Sequence, residues 1–312
     1  MLRLAAIDIG TNTVLLCVAD RGPSGLRTVI DRSIISRLGQ GLDRSGVLDL
    51  AAIERTLAAL ERHAAEAAAA GAARTAAVGT AALRDARNAD RFLEEAKRRT
   101  GIEVEVIPGE EEAALAFEAV ARGREEEGAP DRGRLLVIDI GGGSTEFIAG
   151  EGGRADWVRS LAVGSVRLTE RFLTDDPPLA GQLDSLGVYV RHALASLPDP
   201  PGLGPIDLVG IAGTNTTLAA MKAGLRAYDA EAIRRTPVTI ADLDALIARL
   251  AKLSSAARLA LPGLEPGRED VILAGAVIAR EGMARFGAVT MRVSDRGVRH
   301  GVIYRMAARE GI

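Results

Sequence analysis

The sequence predicts an α/β protein of two domains, and three observations carry that expectation. One hairpin pattern occurs twice, as Ala6-Ile7-Asp8-Ile9-Gly10 and as Val137-Ile138-Asp139-Ile140-Gly141. Strand-like runs rich in Ile, Leu and Val alternate with stretches of helical spacing. A chain of 312 residues is also long for one core, so two domains are the natural division. The separation of Asp8 from Asp139 is too great for a solenoid repeat and suits one duplicated domain.

Taken in order, residues 2–20 read as a strand, a turn at Gly10-Thr11-Asn12 and a returning strand from Val14 to Ala19. Strand character continues from Thr28 to Ile35. Leu50, Ile53, Leu57 and Leu60 follow helical spacing and place a helix over Asp49 to Ala70, its Ala-rich end a strong helix former. A strand from Arg74 to Val78, a helix from Ala89 to Arg99 and a strand from Ile102 to Ile107 follow. Glu110 opens a helix to Arg122, and the charged, Gly- and Pro-bearing segment from Gly123 to Gly133 reads as an exposed connection.

The opening pattern then returns, with a buried strand from Leu135 to Ile140, a turn at Gly141-Gly142-Gly143-Ser144 and a strand from Glu146 to Ala149. A helix is expected around Leu183 to Leu197 and a strand from Ile206 to Ala212. A helix starts near Thr216, two more cover Ile240 to Leu253 and Asp270 to Phe286, and a strand from Val289 to Val293 precedes a final helix after Val298.

Composition narrows the function. The formal net charge is −3, so any polyanion must be met by local Arg side chains and backbone N–H groups. Aromatic residues make up 3% of the chain, too few for base-stacking platforms, and nucleic acid is not an expected partner. The single Cys17 excludes intrachain disulfides and Cys-based zinc clusters. No run has the length of a membrane span and the N-terminus has no secretory pattern, so a cytoplasmic protein is expected.

Each hairpin puts an acid at the end of a buried strand, directly before a Gly-rich turn. Glycine lets the backbone approach a phosphate and aim successive N–H groups at its oxygens. Gly10, Thr11, Asn12 and Thr13 form one such set, and Gly141, Gly142, Gly143, Ser144 and Thr145 the other. An acid cannot bind phosphate, but it can hold a hydrated Mg²⁺ that does. Asp8, Asp139 and Glu146 are the expected metal residues, with Glu146 also placed in the catalytic group. Gly213 and Thr214 end a strand and enter a helix, whose N-terminus favours anions. Arg37, ahead of Leu38-Gly39-Gln40-Gly41, and Arg84 can each present a fork to phosphate oxygens.

These segments together resemble the exopolyphosphatase/guanosine pentaphosphate phosphohydrolase family, within the actin-like ATPase and sugar-kinase superfamily. The likeness covers almost the whole chain through AAIDIGTNT at the start, GTAALRDARNADRFL at 79–93, VIPGEEEA at 106–113, VIDIGGGSTEF at 137–147, LAVGSVRLTERF at 161–172, GIAGT at 210–214 and VSDRGVRHGV at 293–302. It implies two ribonuclease-H-like domains with a cleft, at about 1–122 and 123–297, with a final helix over 298–312 returning to the first. It also implies a catalytic glutamate acting as general base at Glu112, with Glu110 and Glu111 leaving the position open by one residue. Longer relatives carry a further domain with His–Asp metal chemistry; with only His63, His192 and His300, that domain is not expected here.

The resemblance implies metal-assisted water attack on the terminal phosphate of inorganic polyphosphate, or of guanosine pentaphosphate. Two other readings stay open at this stage: a small-molecule kinase of the same fold, and a non-catalytic alarmone-binding protein. A two-fold homodimer is the expected assembly.

Overall fold

The computed structural model describes residues 2–22, 25–128, 134–202, 204 and 206–310. The chain divides into two units, Met1–Ala129 with Arg296–Ile312, and Pro130–Asp295.

The first unit opens with β1 (Leu2–Ile9), β2 (Thr13–Gly22) and β3 (Gly25–Ile35), followed by α1 (Leu42–Ser45) and α2 (Leu50–Ala69). Then come β4 (Arg74–Gly79), α3 (Ala81–Asp85), α4 (Ala89–Thr100), β5 (Val104–Val106) and α5 (Gly109–Glu126). The sheet order is β3-β2-β1-β4-β5, with β1 antiparallel to β2 and parallel to β4. This is the ribonuclease-H-like order. Leu4 to Ile9 are buried without alternation, the pattern of a strand covered on both faces. Two helices pack against β1 and β2: α2, and the C-terminal helix Val298–Arg309. The Asp49 carboxylate caps α2 by accepting from the Ala51 and Ala52 N–H groups at 2.9 and 3.1 Å.

The second unit runs β6 (Leu135–Ile140), β7 (Thr145–Glu151), β8 (Arg154–Leu161), α6 (Ser165–Phe172), α7 (Ala180–Ala195), β9 (Asp207–Ile211) and α8 (Ala212–Ala223). It continues through α9 (Ala230–Arg234), β10 (Val238–Thr239), α10 (Ile240–Leu250), α11 (Ser255–Arg258), α12 (Ile272–Arg285) and β11 (Thr290–Val293), before α13 (Val298–Arg309) rejoins the first unit. Its sheet order, β10-β11-β9-β6-β7-β8, repeats the first: β8, β7, β6, β9 and β11 stand where β3, β2, β1, β4 and β5 do. The centre of the core is α12, buried from Ile272 to Ala279, where Phe286 meets Phe147 and Trp157 with ring centres 5.5 and 6.2 Å apart.

Three expectations are corrected. The connection expected from Gly123 is helical as far as Glu126. Gly123 is buried because a Cβ there would stand 2.5 Å from Cδ of Arg296, and the Glu126 carboxylate accepts from Tyr304 Oη at 2.8 Å and Arg296 Nη1 at 2.5 Å. Tertiary contacts to α13 thus override a helix-breaking composition; residues 129–133 of that segment lie outside the described residues. Second, β8 and α6 were not anticipated. Only Trp157 of β8 is buried, so its pattern is too polar to read as a strand, although Gly152-Gly153, with φ 55 and 77, is a hairpin signal. Third, α8 starts at Ala212 rather than near Thr216. Ala212 itself takes φ 65, so the chain turns on one left-handed residue and Gly213 and Thr214 fall in the first helical turn.

Candidate active site

In the first unit, Gly10 N donates to the Thr13 carbonyl at 3.0 Å and closes the turn after β1. A second segment grips that turn from outside. Ser36 N and Arg37 N both donate to the Asn12 carbonyl at 3.0 Å, and Gly39 N donates to Thr11 O at 2.8 Å. Arg37 holds φ 56 in doing so, a conformation that costs a non-glycine residue energy and concentrates at functional sites. Thr11, Asn12 and Thr13 are all buried. The Asn12 amide is bonded through neither Oδ1 nor Nδ2 to any described residue, which leaves a buried donor at the turn.

Asp8 ends β1, and its Oδ1 accepts no hydrogen bond from a described residue. Burial pushes its carboxyl up to about 7; the Glu112 carboxylate adds to the rise and Arg299 opposes it. The three acids at the start of α5 differ sharply. Glu110 is exposed. Glu111 is tied to Arg305 on α13. Glu112 is buried and accepts from Arg84 Nη1 at 2.6 Å. Burial raises the Glu112 pKa above the ordinary carboxylate range, and Arg84 partly offsets it. Arg84 Nη1 also donates to the Ile107 carbonyl at 2.9 Å, so both bonds use one nitrogen of the guanidinium. Asp8, Arg84, Glu112 and Arg299 therefore form one electrostatic group.

The second unit repeats the device. Gly141 N donates to Ser144 O at 3.0 Å, while Ser165 N and Val166 N donate to Gly141 O and Gly142 O, each at 2.9 Å. Arg167 Nε reaches Gly143 O at 2.8 Å. Asp139 and Glu146 are register partners on β6 and β7, so their side chains share one face of the sheet. Both are buried, and Glu146 Oε1 accepts from Ser160 Oγ at 2.7 Å. Thr145 departs from expectation. Being adjacent to Glu146 on a strand, it points to the opposite face, where its hydroxyl donates to the Val163 carbonyl. That bond ties the end of the turn to the segment ahead of α6. Gly213 and the buried Thr214 lie at the N-terminus of α8.

Sequence reasoning missed two buried arginines. Arg268 lies against the Gly213 backbone and is held by Glu265 at 2.6 Å; its LEPGRED surroundings carry no motif that would have flagged it. Arg299 sits in the VSDRGVRHGV segment, where its place on the buried face of α13 was the available signal. Among the described residues, no group of three or more His, Cys, Asp or Glu side chains is placed to hold a metal ion.

A family model described as the Ppx/GppA phosphatase family matches residues 17–310. Exopolyphosphatase 2 of Mycobacterium tuberculosis is 37% identical, aligned over 98% of this chain and 98% of its own. The crystal structure of a Ppx/GppA family member from Aquifex aeolicus is 33% identical and superposes with a TM-score of 0.82, covering 100% of this chain and 99% of that one. An exopolyphosphatase-like protein of known structure, 30% identical, reaches 0.90 over the same shares. Matched from end to end in sequence and in both mixed sheets, the chain belongs to the Ppx/GppA phosphatase family and is a hydrolase of that family.

Proposed function

We propose that the chain removes the terminal phosphate of inorganic polyphosphate by activating a water with Glu112. The observation that carries this is the Arg84–Glu112 pair. A buried carboxyl raised above its usual range, and held by a guanidinium at 2.6 Å, is more basic than an ordinary carboxylate and fixed in direction, as a general base requires. Glu110 and Glu111 lack that setting. The 37% identity to a protein named exopolyphosphatase supports the choice of polymer.

In the proposed reaction the water oxygen bonds to the terminal phosphorus as the bridging P–O bond breaks. Glu112 takes the water proton, and the shortened chain leaves with the bond's electron pair. In the first unit the Gly10 to Thr13 turn and Arg84 present groups suited to phosphate oxygens, and in the second the Gly141 to Ser144 turn and the α8 N-terminus do so. Phosphatases of this family use a divalent metal. Asp139 and Glu146, two hard oxygen donors on one sheet face, fit Mg²⁺, which takes one or two carboxylates and completes its shell with water and phosphate. When bound it would neutralise charge on the phosphoryl oxygens. Asp8 lies within the field of Glu112, whose charge adds to the rise of the Asp8 pKa.

The test is phosphate release from long-chain polyphosphate, triphosphate and guanosine pentaphosphate, with and without Mg²⁺, for wild type and Glu112→Gln. The amide keeps the shape and removes the base, so kcat should fall by about 10²–10⁴-fold. Undiminished activity in Glu112→Gln would end the assignment, and turnover confined to guanosine pentaphosphate would replace the polymer. Product lengths during the reaction report whether release is processive, and light scattering reports whether the protein is a two-fold dimer.

A further inference from the structure

The segment read for Gly213 and Thr214 continues with an asparagine that the proposed chemistry does not use. Asn215 is 0% exposed. Its amide nitrogen donates to two main-chain carbonyls, Ile211 O at 2.7 Å and Ile138 O at 3.2 Å. These carbonyls belong to neighbouring parallel strands, β9 and β6. Ile138 immediately precedes Asp139. Ile211 immediately precedes Ala212, the left-handed residue from which α8 departs. One side chain thus joins the strand end bearing a site carboxylate to the turn bearing the anion-binding N–H groups.

The other half of the amide is unmet, since Oδ1 accepts no hydrogen bond from any described residue. A buried acceptor without a partner costs stability, and an apolar side chain of similar volume would avoid that cost. Packing alone therefore gives no reason for asparagine here. A requirement for its two donated bonds does. The backbone makes room for it: a Cβ on Gly210 would stand 2.7 Å from Cγ of Asn215 and 2.6 Å from the Met291 sulfur.

We propose that Asn215 is a positioning residue. Its amide fixes the peptide planes at 138–139 and 211–212, and so sets the direction of the Asp139 carboxylate and of the N–H groups at Gly213 and Thr214. The inference rests on the reading of those residues as metal and phosphate contacts.

Asn215→Leu in the full chain tests it, because leucine removes both donated bonds and the unmet acceptor while keeping the number of side-chain heavy atoms and the branch at Cγ. The melting temperature should hold or rise. kcat on polyphosphate should fall roughly 10–100-fold, the Mg²⁺ concentration for half-maximal rate should rise, and calorimetric binding of inorganic phosphate should weaken. A lower melting temperature with wild-type kcat and phosphate affinity in the folded protein would show a structural residue and overturn the proposal.

Should the leucine variant not fold, Asn215→Ser decides the matter. A serine hydroxyl can donate back to Ile211 within the helix but is too short to reach Ile138, so the tie between strands is cut alone. Wild-type kcat and Mg²⁺ dependence in that variant would equally overturn the proposal. If the wild-type chain hydrolyses no phosphoanhydride, the functional reading fails by itself, and the change in phosphate affinity still decides the role of Asn215.

Discussion

Gly164 lies where the chain passes over the phosphate turn of the second unit, and its replacement by alanine separates a positioning effect from a folding effect. Its φ of −122 and ψ of 157 suit any residue, so the substitution is purely a question of space. A Cβ would stand under 3.0 Å from the Gly142 carbonyl oxygen and from the carbonyl carbons of Gly142 and Gly143. All three are main-chain atoms that cannot rotate aside. Restoring ordinary contact at 3.4–4 Å from 2.3 Å requires a displacement of at least about 1 Å in the turn or in the segment above it. That movement pulls on the two 2.9 Å hydrogen bonds from Ser165 and Val166.

Overpacking of this kind costs about 1–3 kcal/mol. At about 2–4 °C per kcal/mol for a unit of this size, Tm should fall by about 2–12 °C. Misplacing phosphate-binding groups by about 1 Å costs about 100-fold in rate, so kcat for phosphate release should drop far more than the loss of folded protein explains. Gly181→Ala is the control. It lies in the first turns of α7 with nothing within 4 Å, and should leave kcat unchanged. Wild-type Tm and kcat in Gly164→Ala would refute the argument that this crossing fixes the turn.

Two further predictions concern titration. Glu112 must be ionised to act as a base, so the acid limb of the kcat/KM profile should lie above the ordinary carboxylate range, and Arg84→Ala should move it to higher pH because Arg84 opposes the burial effect. Asp8, raised from 3.8 to about 7, binds a proton in the folded protein that the unfolded chain releases. Its contribution to stability is therefore lost as pH rises across that window. In chelator, Asp8→Asn should match wild type near pH 4 and gain on it up to about pH 7, by at most about 4 kcal/mol; identical melting curves at every pH would contradict the buried setting.

Much of the fold was readable because its signals are local. The paired hairpins announce themselves through an apolar run, an acid and a glycine turn, and the Asp49 to Ala70 helix through its spacing and cap. What stayed hidden depends on distant partners. Strand β8 buries one side chain, and α5 is extended by Arg296 and Tyr304, nearly two hundred residues on. The site divides in the same way. Three consecutive glutamates mark α5 as chemistry, yet only Arg305 and Arg84, arriving from other elements, distinguish Glu111 from Glu112. At Thr145 a hydroxyl beside a turn looks available in the sequence, and only strand alternation shows it donating to the Val163 carbonyl.

The duplication also accounts for a division of labour. Both units build the same turn and grip it with a later segment, yet the position facing the strand-end acid differs. Leu15 pairs with Asp8, and Glu146 pairs with Asp139. In the first unit the second carboxyl comes instead from helix α5, and it arrives already matched to Arg84. The Glu112 carboxyl is held by the half-buried Arg84 guanidinium, and burial raises its pKa above the ordinary carboxylate range. Two carboxylates on one buried sheet face repel unless a proton or a cation joins them, and Asp139 and Glu146 share such a face. One scaffold, copied once, thus carries a carboxyl–guanidinium pair in one unit and two facing strand carboxylates in the other, with Leu15 standing where the second unit has Glu146.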